Sequence, residues 1–172
     1  MSAETHSLST KKRPGQSTTD GRGMRIGIAY TKWNEKIVGA LVAGCKKELT
    51  RLGVRDSDIE LVEVPGSYEL VFAARTLIKS RKRNFDAIVC VGCLIKGETM
   101  HFEYICEAVT QGIMRVQQDL DVPVIFGVLA CLTEEQALLR AGFDTDSGKG
   151  HNHGLDWGAA AVEMSALRRK YA

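Results

Sequence analysis

The sequence lacks a strong excess of charge of either sign, and it lacks any long apolar run. Its 23 Lys and Arg residues nearly balance 21 Asp and Glu residues, which leaves a formal net charge of +2. This balance gives no reason to expect nucleic acid or a membrane surface as a partner. No apolar run approaches the ~20 residues of a membrane helix, and there is no secretory h-region. We therefore expect neither nucleic acid nor a membrane to be bound.

The five cysteines lack the pattern of a zinc site. Cys90 and Cys93 form a C-x-x-C pair, but they lie in a predicted buried strand, where positions three apart point to opposite faces. No second C-x-x-C is present to complete a metal site. Buried, reduced thiols in a cytoplasmic protein are the better interpretation.

A single domain is the natural expectation for 172 residues with 44% hydrophobic and 26% charged content. Residues 1–23 are rich in Ser, Thr, Lys and Gly and have almost no large apolar side chains, so we predict a disordered tail. Residues 24–172 form the predicted domain. The basic cluster at residues 79–83 is short and has no interleaved aromatics, which favours a solvated helix end over a phosphate-backbone site.

Apolar runs and helical periodicity alternate along the chain. Strands are predicted at four apolar runs, residues 24–30, 59–64, 87–95 and 123–130. Apolar residues at helical spacing follow each run, and a further helix is predicted over residues 154–169. Asn34 is the predicted N-cap of the first helix, and Thr133 begins a capping box. This alternation predicts an α/β fold, a parallel sheet with helices on both faces and right-handed crossovers.

The chain changes character abruptly after the third strand. An unbroken apolar run is followed by residues 96–101, which place a cation, a glycine, a hydroxyl and an imidazole in one turn. Ligands of open parallel sheets bind where the strands end. Gly97, Glu98 and Thr99 at the predicted helix start indicate an anion site, phosphate above all. His101 beside it can transfer protons, although a lone histidine is often structural.

Other polar and aromatic residues follow the remaining strands. Trp33 can stack on a planar ring, or it can plug the end of the core. Ser67 and Glu69 open a helix, where Glu69 can accept hydrogen bonds from a ligand or simply complement the helix N-terminus. Arg140 can bind a phosphate or cap a helix. His151 and His153 have chelating spacing, but we find no third ligand at matching spacing and expect no metal.

Six motifs in order resemble the 6,7-dimethyl-8-ribityllumazine synthase family, most closely its fungal members. The resemblance covers residues 24–170 and rests on residues 65–70 (PGSYEL), 92–104 (GCLIKGETMHFEY), 123–129 (PVIFGVL), 133–137 (TEEQA), 140–142 (RAG) and 151–154 (HNHG). It implies condensation of 5-amino-6-(D-ribitylamino)uracil with 3,4-dihydroxy-2-butanone 4-phosphate in riboflavin biosynthesis, with release of phosphate and water. It also implies a flavodoxin-like three-layer fold with a four-stranded parallel sheet, and no metal or organic cofactor.

The resemblance also implies roles for individual residues in sites between adjacent subunits of a homopentamer. Trp33 would stack on the pyrimidine, while Ser67 and Glu69 would hold the ribityl chain. The pyrimidine would also contact the main chain of Cys93, Leu94, Ile95 and Lys96. Gly97, Glu98 and Thr99 would bind phosphate, and His101 would transfer protons. The neighbouring subunit would supply Phe126, His153 and the phosphate partner Arg140.

The chain departs from the family pattern at a few positions. Val71 stands where many members have Pro, and Ala130 and Cys131 replace a Thr-containing strand end. A longer loop over residues 143–150 favours a free pentamer over an icosahedral 60-subunit shell. The alternative functions are a non-catalytic riboflavin or lumazine binder that uses the same pocket, and a generic flavodoxin-like signalling domain. The presence of Thr99, His101 and Arg140 favours the enzyme.

Overall fold

The structure, a computed structural model, describes residues 17–171. Its four strands are β1 Ile26–Thr31, β2 Ile59–Val64, β3 Ala87–Ile95 and β4 Val124–Cys131. Its five α-helices are α1 Glu35–Arg51, α2 Leu70–Ile78, α3 His101–Leu120, α4 Glu134–Arg140 and α5 His153–Tyr171. Short 3-10 turns at Asp56–Asp58 and Ser67–Glu69 precede β2 and α2.

All strand pairs are parallel, and the sheet order is β2-β1-β3-β4. One buried cluster joins one sheet face to α1 and α5, and a second joins the other face to α2 and α3. The predicted α/β three-layer, flavodoxin-like architecture with a four-stranded parallel sheet is therefore confirmed. A helix of 9 to 20 residues lies between each pair of consecutive strands, which makes every connection a crossover and is why the strands are parallel.

Strand β3 is apolar throughout because helices cover both of its faces. Its first seven residues are all buried. Val89 and Cys93 belong to the core under α1 and α5, whereas Ile88 and Cys90 belong to the core under α2 and α3. Cys90 and Cys93 thus point in opposite directions, as the strand periodicity predicts. Burial raises the pKa of the Cys90 thiol to about 12, so this thiol stays neutral.

Helices α1 and α5 pack closely because glycine lies at their contact. A Cβ added at Gly154 would lie 2.0 Å from the Leu41 carbonyl oxygen. The Asn152 side chain completes this junction, since its amide donates to Ala40 O and its oxygen accepts from Gly154 N–H, each at 2.8 Å. The chain segment just before α5 is therefore held firmly against α1.

Several helix starts differ from their predictions. Helix α3 begins at His101, so Gly97, Glu98 and Thr99 form a loop before the helix and not its first turn. Asn34 is at the N-cap position of α1, as predicted, but it has φ 56° and its side chain makes no capping bond. The Thr133 cap is confirmed, because Gln136 N–H donates to Thr133 Oγ1 at 3.2 Å.

The predicted tail is described only in part, since residues 1–16 lie outside the described residues. Residues 17–23 pack on the end of α1, where sequence composition predicted disorder. The Ser17 carbonyl accepts from the Arg51 guanidinium at 2.8 Å, and Gly21 N–H donates to Leu52 O at 2.7 Å. Within residues 17–171, no helix combines the length and apolar character needed to cross a membrane.

Candidate active site

A cavity of about 650 Å³ opens at the carboxyl ends of β1, β2 and β3. It brings together many of the predicted site residues: Trp33, Ser67, Glu69, Cys93, Leu94, Ile95 and His101. Asn34, Gly66 and Tyr68, which follow β1 and β2, also line it, as does Ile105 of α3. A parallel sheet explains the convergence, because every strand ends at the same edge.

The end of β3 presents an uncovered backbone edge to this cavity. Pairing of β3 with β1 ends at Val91, whereas pairing with β4 continues to Ile95. Residues 92–95 therefore extend past β1 with backbone groups free on that side, which leaves donors and acceptors for a ligand. One of these backbone groups already has a partner within the chain, since the Asn34 side-chain amide donates to Cys93 O at 3.0 Å.

Cys93 contributes its main chain and not a reactive thiol. The side chain is buried in the core beneath α1 and α5. Burial is the main cause that raises the pKa of the Cys93 thiol to about 12, and proximity to Cys131 adds to the effect. A thiol with such a pKa is protonated near neutral pH and is a poor nucleophile.

Trp33 and Glu69 converge over Gly66. A Cβ on Gly66 would lie 3.2 Å from Glu69 Oε2 and 3.6 Å from Trp33 Cδ1. Trp33 is 72% exposed, so its ring does not plug the core and its face is available for stacking. Ser67 is buried against β3, where a Cβ on Gly92 would lie 2.7 Å from its Oγ. Small residues at positions 66 and 92 thus make room for the polar side chains.

His101 is the first residue of α3 and is exposed at the cavity wall. The backbone N–H of His101 donates to Thr99 Oγ1 at 3.4 Å, a long hydrogen bond that links the loop to the start of α3. Gly97, Glu98 and Thr99 are exposed beside the cavity and do not line it. The Lys96 ammonium pairs with Glu103 and lies 5.7 Å from the Phe102 ring centroid. The Lys96 charge is thus directed to α3. Its backbone N–H is bonded to Cys131 O, so its main-chain carbonyl is the group left for a ligand.

Besides residues 96–99, which lie beside the cavity, three predicted site residues lie on other elements and do not line the cavity of their own chain. Phe126 is in the middle of β4, opposite Cys90, and is 41% exposed. Arg140 ends α4, where its guanidinium donates to Gln136 O at 3.1 Å. His153 begins α5. The fold does not bring these three side chains into the cavity at the end of β3.

Sequence analysis missed Asp156 as a partner of the two loop histidines. Asp156 Oδ2 lies 2.8 Å from His151 Nε2 and 3.1 Å from His153 Nδ1. The expectation that no acidic side chain accompanies these histidines is therefore wrong. The available signal was the i, i+3 spacing of His153 and Asp156, which places both on one face of a helix that begins at His153.

The surroundings of His153 favour its neutral form. Burial lowers its pKa below 6.5. The charges of His151 and Arg140 act in the same direction, while the Asp156 carboxylate opposes them. In the folded chain the His153 Nδ1 atom lies 3.1 Å from Asp156 Oδ2.

The departures from the family pattern lie away from the cavity. Val71 packs against α3, where a Cβ on Gly112 would lie 2.7 Å from Val71 Cγ2. Cys131 is buried, and its carbonyl accepts from Lys96 N–H at 2.9 Å. Neither Ala130 nor Cys131 lines the cavity.

Comparison with known proteins agrees with this geometry. A family model described as 6,7-dimethyl-8-ribityllumazine synthase matches residues 23–169. Proteins of that name from Pyricularia oryzae and Schizosaccharomyces pombe are 43% and 47% identical, and the alignments cover 94% and 89% of this chain and 96% and 93% of theirs. One from Phocaeicola vulgatus is 37% identical over 90% of this chain and 88% of its own. The predicted resemblance to fungal members is confirmed, and the chain belongs to the 6,7-dimethyl-8-ribityllumazine synthase family.

Proposed function

We propose that this chain is a transferase that condenses 5-amino-6-(D-ribitylamino)uracil with 3,4-dihydroxy-2-butanone 4-phosphate, forming 6,7-dimethyl-8-ribityllumazine, phosphate and water. Membership of the family supports this activity. The single structural observation that carries it is the cavity that places an exposed indole, an open strand edge and an imidazole side by side. These are the groups needed to hold a planar heterocycle and to move protons beside it.

The pyrimidine binds between Trp33 and the uncovered end of β3. Its flat ring stacks on the exposed indole. Its alternating N–H and C=O groups pair with main-chain groups at Cys93, Leu94, Ile95 and Lys96, which lie at the strand edge that β1 leaves uncovered. A rigid strand fixes the heterocycle, and correct alignment of an amine with a ketone supplies much of the acceleration.

The ribityl chain lies over the start of α2. The hydroxyl groups of the chain donate to the Glu69 carboxylate and pair with Ser67, both of which line the cavity. The 3-10 turn Ser67–Glu69 holds these side chains on a short, rigid segment. Polar contacts of this kind discriminate against analogues that lack the hydroxyls, because the protein groups would then be left unpaired.

The phosphate binds at the loop Gly97, Glu98 and Thr99, in front of the first N–H groups of α3. Helix N-termini attract anions because those N–H groups have no partner within the helix. Arg140 completes the charge compensation, which stabilises the phosphate as it leaves. His101 lies between this loop and the cavity, so its imidazole transfers the protons that imine formation and phosphate release require.

The complete site forms between adjacent subunits, because Phe126, Arg140 and His153 lie outside the cavity of their own chain. Phe126 and His153 contact the substrates from the neighbouring subunit, and Arg140 contacts the phosphate. A homo-oligomer is supported by large apolar side chains that are exposed within, or just before, α2 and α3: Tyr68, Phe72, Met100 and Tyr104.

A pentamer is favoured over a 60-subunit shell. The loop of residues 143–150 is a formed turn, in which Thr145 bridges Gly148 and Gly150 N–H donates to the Asp144 carboxylate at 3.0 Å. Such a projecting turn obstructs contacts between pentamers. The five free cysteines support the cytoplasm as the location, since thiols persist there.

The experiment is to mix the purified protein with both substrates and follow formation of the fluorescent lumazine. We expect product well above the uncatalysed background. A protein that binds riboflavin or lumazine in the same cavity, but yields no product above background, would support the non-catalytic alternative. Size-exclusion chromatography with light scattering distinguishes a pentamer from larger shells.

A further inference from the structure

His151, His153 and Asp156 form a compact group of potential metal ligands beside the start of α5. One ligand atom from each residue lies within 4.8 Å of the other two. Among residues 17–171, this is the only group of at least three His, Cys, Asp or Glu side chains with such geometry. Arg140 binds phosphate and His153 binds substrate in the proposed function, but neither role uses His151 or Asp156.

We propose that His151, His153 and Asp156 bind a divalent transition-metal ion, with Zn²⁺ as the best fit. Two imidazole nitrogens and one carboxylate oxygen are a common protein ligand set for zinc, and three ligands leave one position open for water. Tetrahedral zinc separates its ligand atoms by about 3.4 Å, as follows from bonds of about 2.1 Å. The observed separations from Asp156 Oδ2 are 2.8 Å to His151 Nε2 and 3.1 Å to His153 Nδ1.

The backbone holds the three ligands in place before any ion arrives. His151 N–H donates to Leu139 O at 2.8 Å, which ties the loop to the end of α4. Asn152, between the two histidines, is bonded to Ala40 O and to Gly154 N–H. His153 and Asp156 lie one helical turn apart on α5. Binding therefore requires only small rotations of the side chains.

The proton balance of binding is simple. Without metal, Asp156 Oδ2 lies 2.8 Å from His151 Nε2 and 3.1 Å from His153 Nδ1. An imidazole binds a metal ion through a ring nitrogen that carries no proton, so in the metal complex each ring holds its proton on the other nitrogen. Both rings are partly exposed, so water reaches those nitrogens. Asp156 Oδ1 is buried without a hydrogen-bond partner among the described residues, and a bound cation stabilises this oxygen.

Arg140, at the end of α4, is a positive charge close enough to act on His153, and like charges repel, so it opposes a bound cation. The repulsion between Arg140 and a bound cation predicts opposite effects of two kinds of variant on the affinity for the metal. Arg140→Ala should strengthen metal binding, whereas loss of a ligand should weaken it. The metal site does not depend on the proposed function, because its test measures bound zinc and uses no substrate.

Equilibrium dialysis of the chelator-stripped, full-length protein against ZnCl₂ tests the site. We expect one ion per chain, and we expect Asp156→Asn and His151→Gln each to weaken binding by at least about tenfold, since loss of even an outer-shell partner costs that much. His6→Gln and His101→Gln are matched controls and should bind like the unaltered protein. Co²⁺ substitution should give the visible absorption of a low-coordinate site, which the ligand variants lose.

Two results would overturn the proposal. One is the absence of saturable binding near one ion per chain in the unaltered protein. The other is equal affinity in the ligand variants and in the two histidine controls, which would place any bound zinc elsewhere. Circular dichroism checks the fold of each variant. If Asp156→Asn fails to fold, His151→Gln still tests the site, because His151 is partly exposed and its replacement leaves the core intact.

Discussion

The Asn34 side-chain amide donates to the Cys93 carbonyl oxygen across 3.0 Å, which joins the loop after β1 to the uncovered end of β3. Asn34 has a backbone φ of 56°, a left-handed conformation that Asn tolerates better than most residues. Because Trp33 precedes it, this bond sets the position of the proposed stacking surface relative to the strand edge.

Asn34→Gly should remove this bond without backbone strain, since Gly adopts positive φ freely. We expect the free energy of unfolding to fall by about 1 kcal/mol. The KM for the pyrimidine should rise several-fold, because the indole is no longer held beside β3. Asn34→Ala should cost about 1 kcal/mol more, since a Cβ strains this conformation. Urea titration and steady-state kinetics measure both effects, and an unaltered KM in Asn34→Gly would contradict the role.

His101→Gln should lower kcat by roughly 10²- to 10⁴-fold, the usual contribution of a general acid or base. Binding of the pyrimidine should change little, because Trp33 and the β3 edge remain in place. Fluorescence titration with the pyrimidine and initial rates of lumazine formation separate the two quantities. A variant with full kcat would show that the proton passes through another group.

Arg140→Ala should raise the KM for the phosphorylated substrate by about tenfold or more, since a hydrogen bond to a charged group contributes about 1.5–3 kcal/mol. Arg140→Lys should restore this only in part, because Lys cannot bind a phosphate bidentately. Binding of the pyrimidine alone serves as the control and should stay as it is in the unaltered protein.

A subunit-mixing experiment checks that Arg140 acts in a neighbouring site. Unfolded His101→Gln and Arg140→Ala chains are refolded together in equal amounts. If the two residues come from different subunits, random assembly leaves about a quarter of the sites intact in a heterologous ring. If both residues come from one subunit, no intact site forms, and activity should not exceed the average of the two variants.

Gly154→Ala should destabilise the fold, because its Cβ would lie 2.0 Å from the Leu41 carbonyl oxygen. We expect a loss of about 1–3 kcal/mol in the free energy of unfolding, the usual cost of overpacking. Gly39→Ala in α1 is the control, since a Cβ there meets nothing within 4 Å. It should leave stability unaltered or raise it by about 0.4–1 kcal/mol. Equal losses in both variants would contradict the close packing of α1 on α5.

His153 should make the fold less stable in acid. Its folded-state pKa is below 6.5, chiefly because of burial, so the unfolded chain takes up a proton more readily. Stability should therefore fall as the pH drops through about 6.5, with no contribution above it. His153→Gln should show a smaller stability difference between about pH 7.5 and about pH 5.5. Urea titrations at fixed protein concentration, with a chelator present, measure this difference, and an identical pH slope would contradict it.

Much of the fold follows from local sequence signals. The unbroken apolar run of β3 predicts a strand covered on both faces, and its bounds, Ala87–Ile95, agree with the structure. The Thr133 cap was predictable because it involves neighbours only three residues apart. The start of α3 was misjudged, because Gly97–Thr99 carry residue types that suit both a helix start and a loop.

The position of the cavity was predictable, because parallel strands end at one edge and Trp33, Ser67, Glu69 and His101 all follow strands. The hydrogen bonds between the residues that line the cavity were not predictable. Asn34 is at the N-cap position that its residue type predicts, but its side-chain amide donates to Cys93 O, 59 positions along the chain, and makes no capping bond. Asp156 could have been found from its spacing to His153, since that contact stays within one helical turn.

The sequence by itself determined the order of strands and helices, their buried faces and the family, since these depend on periodicity and on motifs of adjacent residues. Only the tertiary structure decided which groups meet. It left the end of β3 uncovered past β1, turned the Lys96 charge to Glu103, and placed Phe126, Arg140 and His153 outside the cavity of their own chain. The physical reason is that such contacts depend on strand register and packing between elements far apart in the chain, where no local pattern records the partner.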